Sequence, residues 1–247
     1  MLKPIIVIYN KSCENSPACR FAKENGLKAI LCDNSTIEND NEKFAAEAGF
    51  TYIPMGGNKG LSKAYNRALE IEAEEDYYLI LDDDTSLPEN FIALVKAHIE
   101  KNPDAELLLP IVKAGEAVIS PAVLGKWRVR MVRKNEKVKA FTAINSGMVV
   151  KKSLFSEFSY DENLFLEYID HDLMCYVKDK NKKLHIMEDI QLFQSFFGLS
   201  NQTREAALRR YNIFKSDFKY FVKKHNRNRF VAALIILKRK IAAERKK

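Results

Sequence analysis

Short apolar runs in this chain alternate with amphipathic stretches, and its polar residues gather where the runs end. Residues 4–9 (PIIVIY), 29–32 and 51–54 each have the length and branched or aromatic content of a buried strand. Between them, residues 17–25 and 41–48 carry helical spacing, with Pro17 suited to a first turn. Residues 61–72 predict a third helix, and 77–81 a fourth strand that is apolar on both faces. Strands and helices alternating at this interval predict right-handed βαβ units, hence an α/β fold around a mostly parallel sheet. Beyond it the pattern predicts a helix over about 89–101 and strands at 107–112 and 117–119. A strand-like run at 141–150 is bent at Ser146 and Gly147, which places both at a pocket wall. An amphipathic helix opens near Asp170 and turns Leu173, Met174 and Val177 inward. Residues 125–139, basic and containing Trp127, read as an acceptor-side loop or a solvated connection.

The polar strand ends fall on one rim: Tyr9 and Asn10, Asp33 to Ser35, Gly56 to Gly60, and Asp82 to Asp84. In open α/β sheets a ligand sits beyond the carboxyl ends of the strands, and this rim is long enough for a nucleotide. Neighbouring carboxylates repel by roughly 4 kcal/mol at about 4 Å, so three successive aspartates call for a cation. Mg²⁺ and its like take one or two protein carboxylates and leave the other positions to water and phosphate. The competing reading is an acidic turn in which Asp84 or Ser86 caps the following helix. GGNKG at 56–60 allows close backbone approach before a helix, yet it is neither a P-loop nor a full GxGxxG fingerprint. A second acidic group, Glu167, Asp170 and Asp172, either caps its helix or holds a general base.

Composition adds a division. The 247 residues carry 40 Lys and Arg against 33 Asp and Glu. Fifteen of the basic residues and only three of the acidic ones lie in 202–247, so residues 1–201 have a net charge of −5 and the tail +12. Residues 1–201 are expected to form the α/β domain and 202–247 a basic helical extension. Within the latter, 229–247 place Phe230, Leu234, Ile235, Leu237 and Ile241 on one stripe. Such a helix suits an anionic membrane surface, or else packs on its own domain or on a partner subunit in a homodimer. No apolar stretch reaches the roughly 20 residues of a membrane span, and the first is too short for a signal peptide. A cytoplasmic or peripheral location is expected. Cys13, Cys19, Cys32 and Cys175 lack zinc spacing and read as reduced structural thiols.

With these residues placed, the chain resembles the inverting family-2 glycosyltransferases of GT-A fold, a Rossmann-like sheet flanked by helices, and in particular bacterial rhamnosyltransferase-like members. The resemblance covers about 4–226 and rests on IIVIYN, CDNS, GGNKGLSKAYNRAL, LDDDT, INSGMVV and FLEYIDHDL occurring in the family's order. It implies a nucleotide-sugar donor, a dTDP- or UDP-sugar with dTDP-rhamnose first, bound with Mg²⁺ or Mn²⁺, and a glycan or lipid-linked acceptor. Asp33 would accept the imide N–H of the base, with Tyr9 packed beside it. Asn58, Gly60 and Asn66 would lie near the nucleotide, and Asp82 or Asp83 would approach the ribose and metal. Asp84 is the first metal ligand, with Asp82 beside it. Asp170 would be the catalytic base, with Glu167 and Asp172 orienting it or the acceptor. Two positions depart from the pattern: Gln194 stands in LFQSFFGLS where relatives often have a metal-binding histidine, and Ile8 where they often have threonine. His171 and His185 read as structural rather than as substitutes.

Two other readings share parts of this pattern. A nucleotidyltransferase also joins a parallel sheet to carboxylate-bound Mg²⁺, but YNKSCENSPACR lacks the glycine-rich phosphate loop after strand one. A nucleic-acid-binding module would use the basic tail and leaves both acidic groups unexplained. No nucleic acid is therefore expected as a partner.

Overall fold

A computed structural model describes residues 2–71, 73–124, 129–131, 141–193 and 203–246. Four parallel strands, β1 (Leu2–Ile8), β2 (Ile30–Asp33), β3 (Thr51–Pro54) and β4 (Tyr77–Asp82), alternate with helices α1 (Pro17–Glu24), α2 (Asn41–Ala48) and α3 (Leu61–Leu69). Pro17 begins α1, whose Ser16 cap accepts from Cys19 N–H, and α2 stops at Gly49 in a left-handed conformation. After α4 (Phe91–Lys101) come β5 (Leu107–Ala114), β6 (Ala117–Ser120), β7 (Ala122–Leu124), β8 (Val129–Met131), β9 (Phe141–Thr142) and β10 (Met148–Lys151). Helix α5 (Ile169–Asp179) leads into β11 (Leu184–Phe193). The main sheet runs β11-β5-β10-β4-β1-β2-β3, with β6 pairing on β5; β10 is antiparallel to both of its neighbours. β7, β8 and β9 form a small second sheet.

Alternation along the buried strands divides the core. Ile6, Ile8, Leu31, Leu79 and Leu81 pack with α1, α2 and α4. Ile5, Val7, Cys32, Tyr78 and Ile80 pack with α3 and α5 on the opposite face. The four cysteines are buried thiols.

Two strand expectations change in detail. The run at 141–150 is two strands separated by a turn at Ser146 and Gly147, where Gly147 has φ 75° and a Cβ would lie 2.5 Å from Leu192. β11 escapes the hydrophobic pattern because Glu188 and Asp189 interrupt it at an irregularity between Met187 and Gln191.

The basic extension forms α6 (Arg204–Lys224) and α7 (Arg229–Glu244), capped by Thr203 and Asn228. Phe214 and Phe218 of α6 are buried against α7 and Tyr168, whose ring stacks on Phe218 at 4.9 Å. Phe221 reaches the core beneath α5. Helix α6 thus packs on the α/β domain, and α7 packs on α6. Among the described residues no helix is long and apolar enough to cross a membrane.

Candidate active site

The strand register brings the carboxyl ends of β1, β2 and β4 together, pairing Val7 with Asp82 and Ile8 with Asp33. A cavity of about 830 Å³ opens above this rim. Tyr9, Asn58, Gly60 and the run Asp82, Asp83 and Asp84 line it. Glu167, Asp170 and His171 line the same cavity, and Asp170 is near enough to Asp82 to help raise its pKa. The two acidic groups singled out in the sequence, some ninety positions apart, therefore share one space.

Each aspartate of the run has a different surrounding. Asp82 continues the β4 face of Tyr78 and Ile80, towards α3 and α5, and accepts a hydrogen bond from the Ser146 hydroxyl. Burial, with Asp84, Asp170 and Asp83 nearby, pushes its pKa up to about 6. Asp83 turns the other way, 3.5 Å from the Lys11 ammonium, while Ser16 and Lys11 donate to its backbone carbonyl. Burial raises the Asp83 pKa, and Lys11 opposes that. Asp84 is exposed. Neither Asp84 nor Ser86 caps a helix, because Asn90 stands at the start of α4.

The donor set fits a hard divalent ion. Asp82 and Asp84 offer carboxylate oxygens at a rim with surplus negative charge. Among the described residues no group of three or more His, Cys, Asp or Glu side chains could hold an ion alone. An ion that takes one or two protein carboxylates and completes its shell with diphosphate and water matches that arrangement. Gln194 lies outside the described residues. His171 is engaged by the Thr142 hydroxyl and His185 by His98.

Asp170 occupies the first turn of α5, whose entry residue Tyr168 has φ 68°. It does not cap the helix. Its Oδ1 accepts from His171 N–H at 2.7 Å, and burial raises its pKa while His171 draws it down. The preceding loop is clamped from two sides. Phe165 O accepts from Leu61 N–H at 2.7 Å, and a Cβ at Gly60 would lie 2.6 Å from that oxygen, so only glycine fits. From α6, buried Asp217 accepts from both Leu166 N–H and Glu167 N–H at 2.8 Å.

Five expected positions lie off the cavity lining. Asp33 falls on the other sheet face from Asp82, since strand neighbours Ile8 and Val7 point oppositely. Its carboxylate accepts from Ser35 N–H, Asn41 and Tyr52, which hold its pKa low against the effect of burial. Asn66 points from α3 to the loop before α5, bonding both backbone groups of Tyr160. Ser146 sits behind Asp82, and Gly147 lies under Leu192. Asp172 is about 200° from Asp170 around the helix and faces the tail instead. There it pairs with Lys224 at 2.9 Å and His225 at 2.7 Å, and the bond to Asp172 leads the causes that raise His225 to about 9.

The tail also supplies residues that no sequence motif marks. Arg209, Arg210 and Arg239 line the cavity. Arg210 Nε meets Glu167 at 2.8 Å, and Arg239 lies 4.0 Å from the same carboxylate. The aromatic spacing of Tyr211, Phe214, Phe218 and Phe221 is the signal that would have turned this helix inward.

The Asp82 environment has a measurable cost. A carboxyl pKa of about 6 against 3.8 corresponds to about 3 kcal/mol against the charged form. Because the folded pKa is the higher one, stability declines as pH rises between those values and the full cost persists at neutral pH. Asp82→Asn is therefore expected to raise the thermal midpoint by about 5 °C near neutral pH, with the gain vanishing near pH 4. A lower midpoint for the variant at neutral pH would contradict this account.

Comparison with known proteins follows the same outline. The family described as "Glycosyl transferase family 2" matches residues 5–157. The dTDP-rhamnosyl transferase RfbF of Shigella flexneri is 24% identical over 243 residues, covering 90% of this chain and 80% of that protein. Mannosyltransferase PcManGT from Pyrobaculum calidifontis, solved with GDP-Man and Mn²⁺, superposes with a TM-score of 0.63 at 12% identity, over 90% of this chain and 64% of its own. S. aureus TarS 1–349 gives 0.59 at 14% identity, over 90% and 72%. The sheet and its flanking helices are those of the GT-A fold.

Proposed function

The chain belongs to glycosyltransferase family 2, and within that family we propose a metal-dependent, inverting enzyme of bacterial surface polysaccharide synthesis. Its donor is a dTDP- or UDP-sugar, with dTDP-rhamnose the first choice, and its acceptor a glycan or lipid-linked glycan at the inner face of the cell membrane. The observation that carries this reading is that Asp170 lines one cavity together with Asp82 and Asp84. The name of the Shigella flexneri relative supports the choice of donor.

Asp170 takes the proton of an acceptor hydroxyl as that oxygen attacks the anomeric carbon. The new C–O bond forms opposite the C–O bond that breaks, so the carbon inverts and the nucleoside diphosphate leaves with the bonding pair. Burial strengthens Asp170 as a base by disfavouring its charged form. Asp82 and Asp84 are the residues that would hold Mg²⁺ or Mn²⁺, which when bound supplies Lewis-acid stabilisation of the diphosphate. Exposed Tyr9 offers its ring to the base, and Asn58 and Gly60 line the cavity where the sugar-phosphate backbone would lie. The ion pair of Glu167 with Arg210 closes the side towards the acceptor.

A thermal-shift panel of dTDP-rhamnose, UDP-sugars and GDP-mannose, each with and without Mn²⁺, tests the reading. A ligand at a hundred times its Kd stabilises the folded state by about 2.7 kcal/mol. The largest shift is expected for dTDP-rhamnose with Mn²⁺. A panel in which no nucleotide-sugar raises the midpoint would overturn the proposal.

A further inference from the structure

Helix α7 has two apolar faces, and the fold uses one. On its inner side Ala232 and Ala243 are buried, Ile235 and Ile236 pack against α6, and the Arg239 guanidinium lies 3.9 Å over the Phe214 ring. On its outer side Phe230, Leu234, Leu237 and Ile241 are 73%, 51%, 54% and 40% exposed. At about 100° per residue these four fall within a stripe about 60° wide, opposite the packed alanines. Arg245 and Lys238 border the stripe on one side, Arg229 and Lys240 on the other. The single acidic residue of the helix, Glu244, is at its last turn and pairs with Lys240. Along the edge where α7 meets α6, a groove of about 640 Å³ has an apolar floor and a rim of Lys215, Lys219, Lys223, Arg229 and Lys240.

We propose that this outer face of α7 docks in the plane of an anionic phospholipid bilayer. Aliphatic and aromatic side chains enter the acyl boundary while the flanking cations meet lipid phosphates, the arrangement that in-plane amphipathic helices adopt. Charge complementarity selects this occupant. A second copy of the chain, meeting the face through a two-fold axis, would set the same cations against each other. Nucleic acid would satisfy the cations and leave the apolar stripe in water.

The inference deepens the transferase reading and rests on it for its use: Arg239, on the inner side of the same helix, lines the cavity. One helix about 10 Å thick would then separate the bilayer surface from the reaction space. A lipid-linked acceptor would be presented at the cavity mouth without leaving the membrane.

Flotation of the full chain with phosphatidylcholine vesicles, with and without phosphatidylglycerol, tests the docking surface. Binding is expected only with phosphatidylglycerol, and to weaken as salt is raised. The double variant Phe230→Ser/Leu234→Gln is expected to lose at least tenfold in vesicle binding while its thermal midpoint stays within the range of the unmodified chain. Equal binding by variant and parent, or equal binding to both vesicle types, overturns the proposal. So does a dimer in solution that the variant abolishes, which would assign the face to self-association. The assay contains no sugar, so a failed donor panel leaves its result standing, and failed docking leaves donor binding standing.

Discussion

Asp170→Asn is expected to lower kcat by about 10² to 10⁴ while nucleotide-sugar binding changes little. The substitution keeps the shape of the side chain, and its amide oxygen can still accept from His171 N–H, so the first turn of α5 stays in place. What disappears is a group able to take a proton. Asp82 and Asp84 line the same cavity and are untouched by the substitution, so the donor side loses no ligand. The parent enzyme should also lose kcat as pH falls through the raised pKa of Asp170, because only the carboxylate accepts the proton. That acid limb should be missing from the residual activity of the variant. Unchanged turnover in Asp170→Asn would remove Asp170 from the role of base, whatever else the cavity binds.

Chelation by EDTA is expected to reduce transfer by at least about 100-fold, since the leaving diphosphate then lacks its charge stabilisation. Added Mn²⁺ or Mg²⁺ should restore it. The expectation follows from the rim's charge. Asp82 has a raised pKa, and among the described lining residues the cations lie with other partners: Arg209 with Glu205, Arg210 with Glu167 and Arg239 over the Phe214 ring. A donor diphosphate brought to that rim adds negative charge to negative charge unless an ion accompanies it. Full activity in rigorously metal-free buffer would overturn the role given to Asp82 and Asp84, and would direct attention to the tail arginines.

The α/β arrangement was legible because β1 to β4 are apolar runs ended by polar residues, and the connecting helices show their periodicity. Which side of the sheet each rim residue faces was not. All four residues of β2 are buried, so no alternation of polar and apolar residues reveals that Asp33 faces away from Asp82. Proximity in sequence misled at Asp172, where the helical period separates two carboxylates only two positions apart. β11 was hidden by its charged interruption. Arg210 and Arg239 belong to no motif, and their charge reads as surface until the aromatic face of α6 is seen to be buried. The site is thus half local pattern, which sequence carries well, and half long-range packing, which it carries only as periodicity.

The two backbone hydrogen bonds that Asp217 accepts from Leu166 and Glu167 make α6 a mounting for the loop that leads to the base. The same loop touches the glycine turn before α3 on its other side. Base and donor floor are therefore held at a spacing fixed jointly by the sheet domain and by the tail, like two jaws set by a common screw. A truncation that removes α6 together with α7 reads two losses at once, the contact with a surface and the alignment of the jaws. Only changes confined to the outer side of α7 separate where the enzyme works from whether it can.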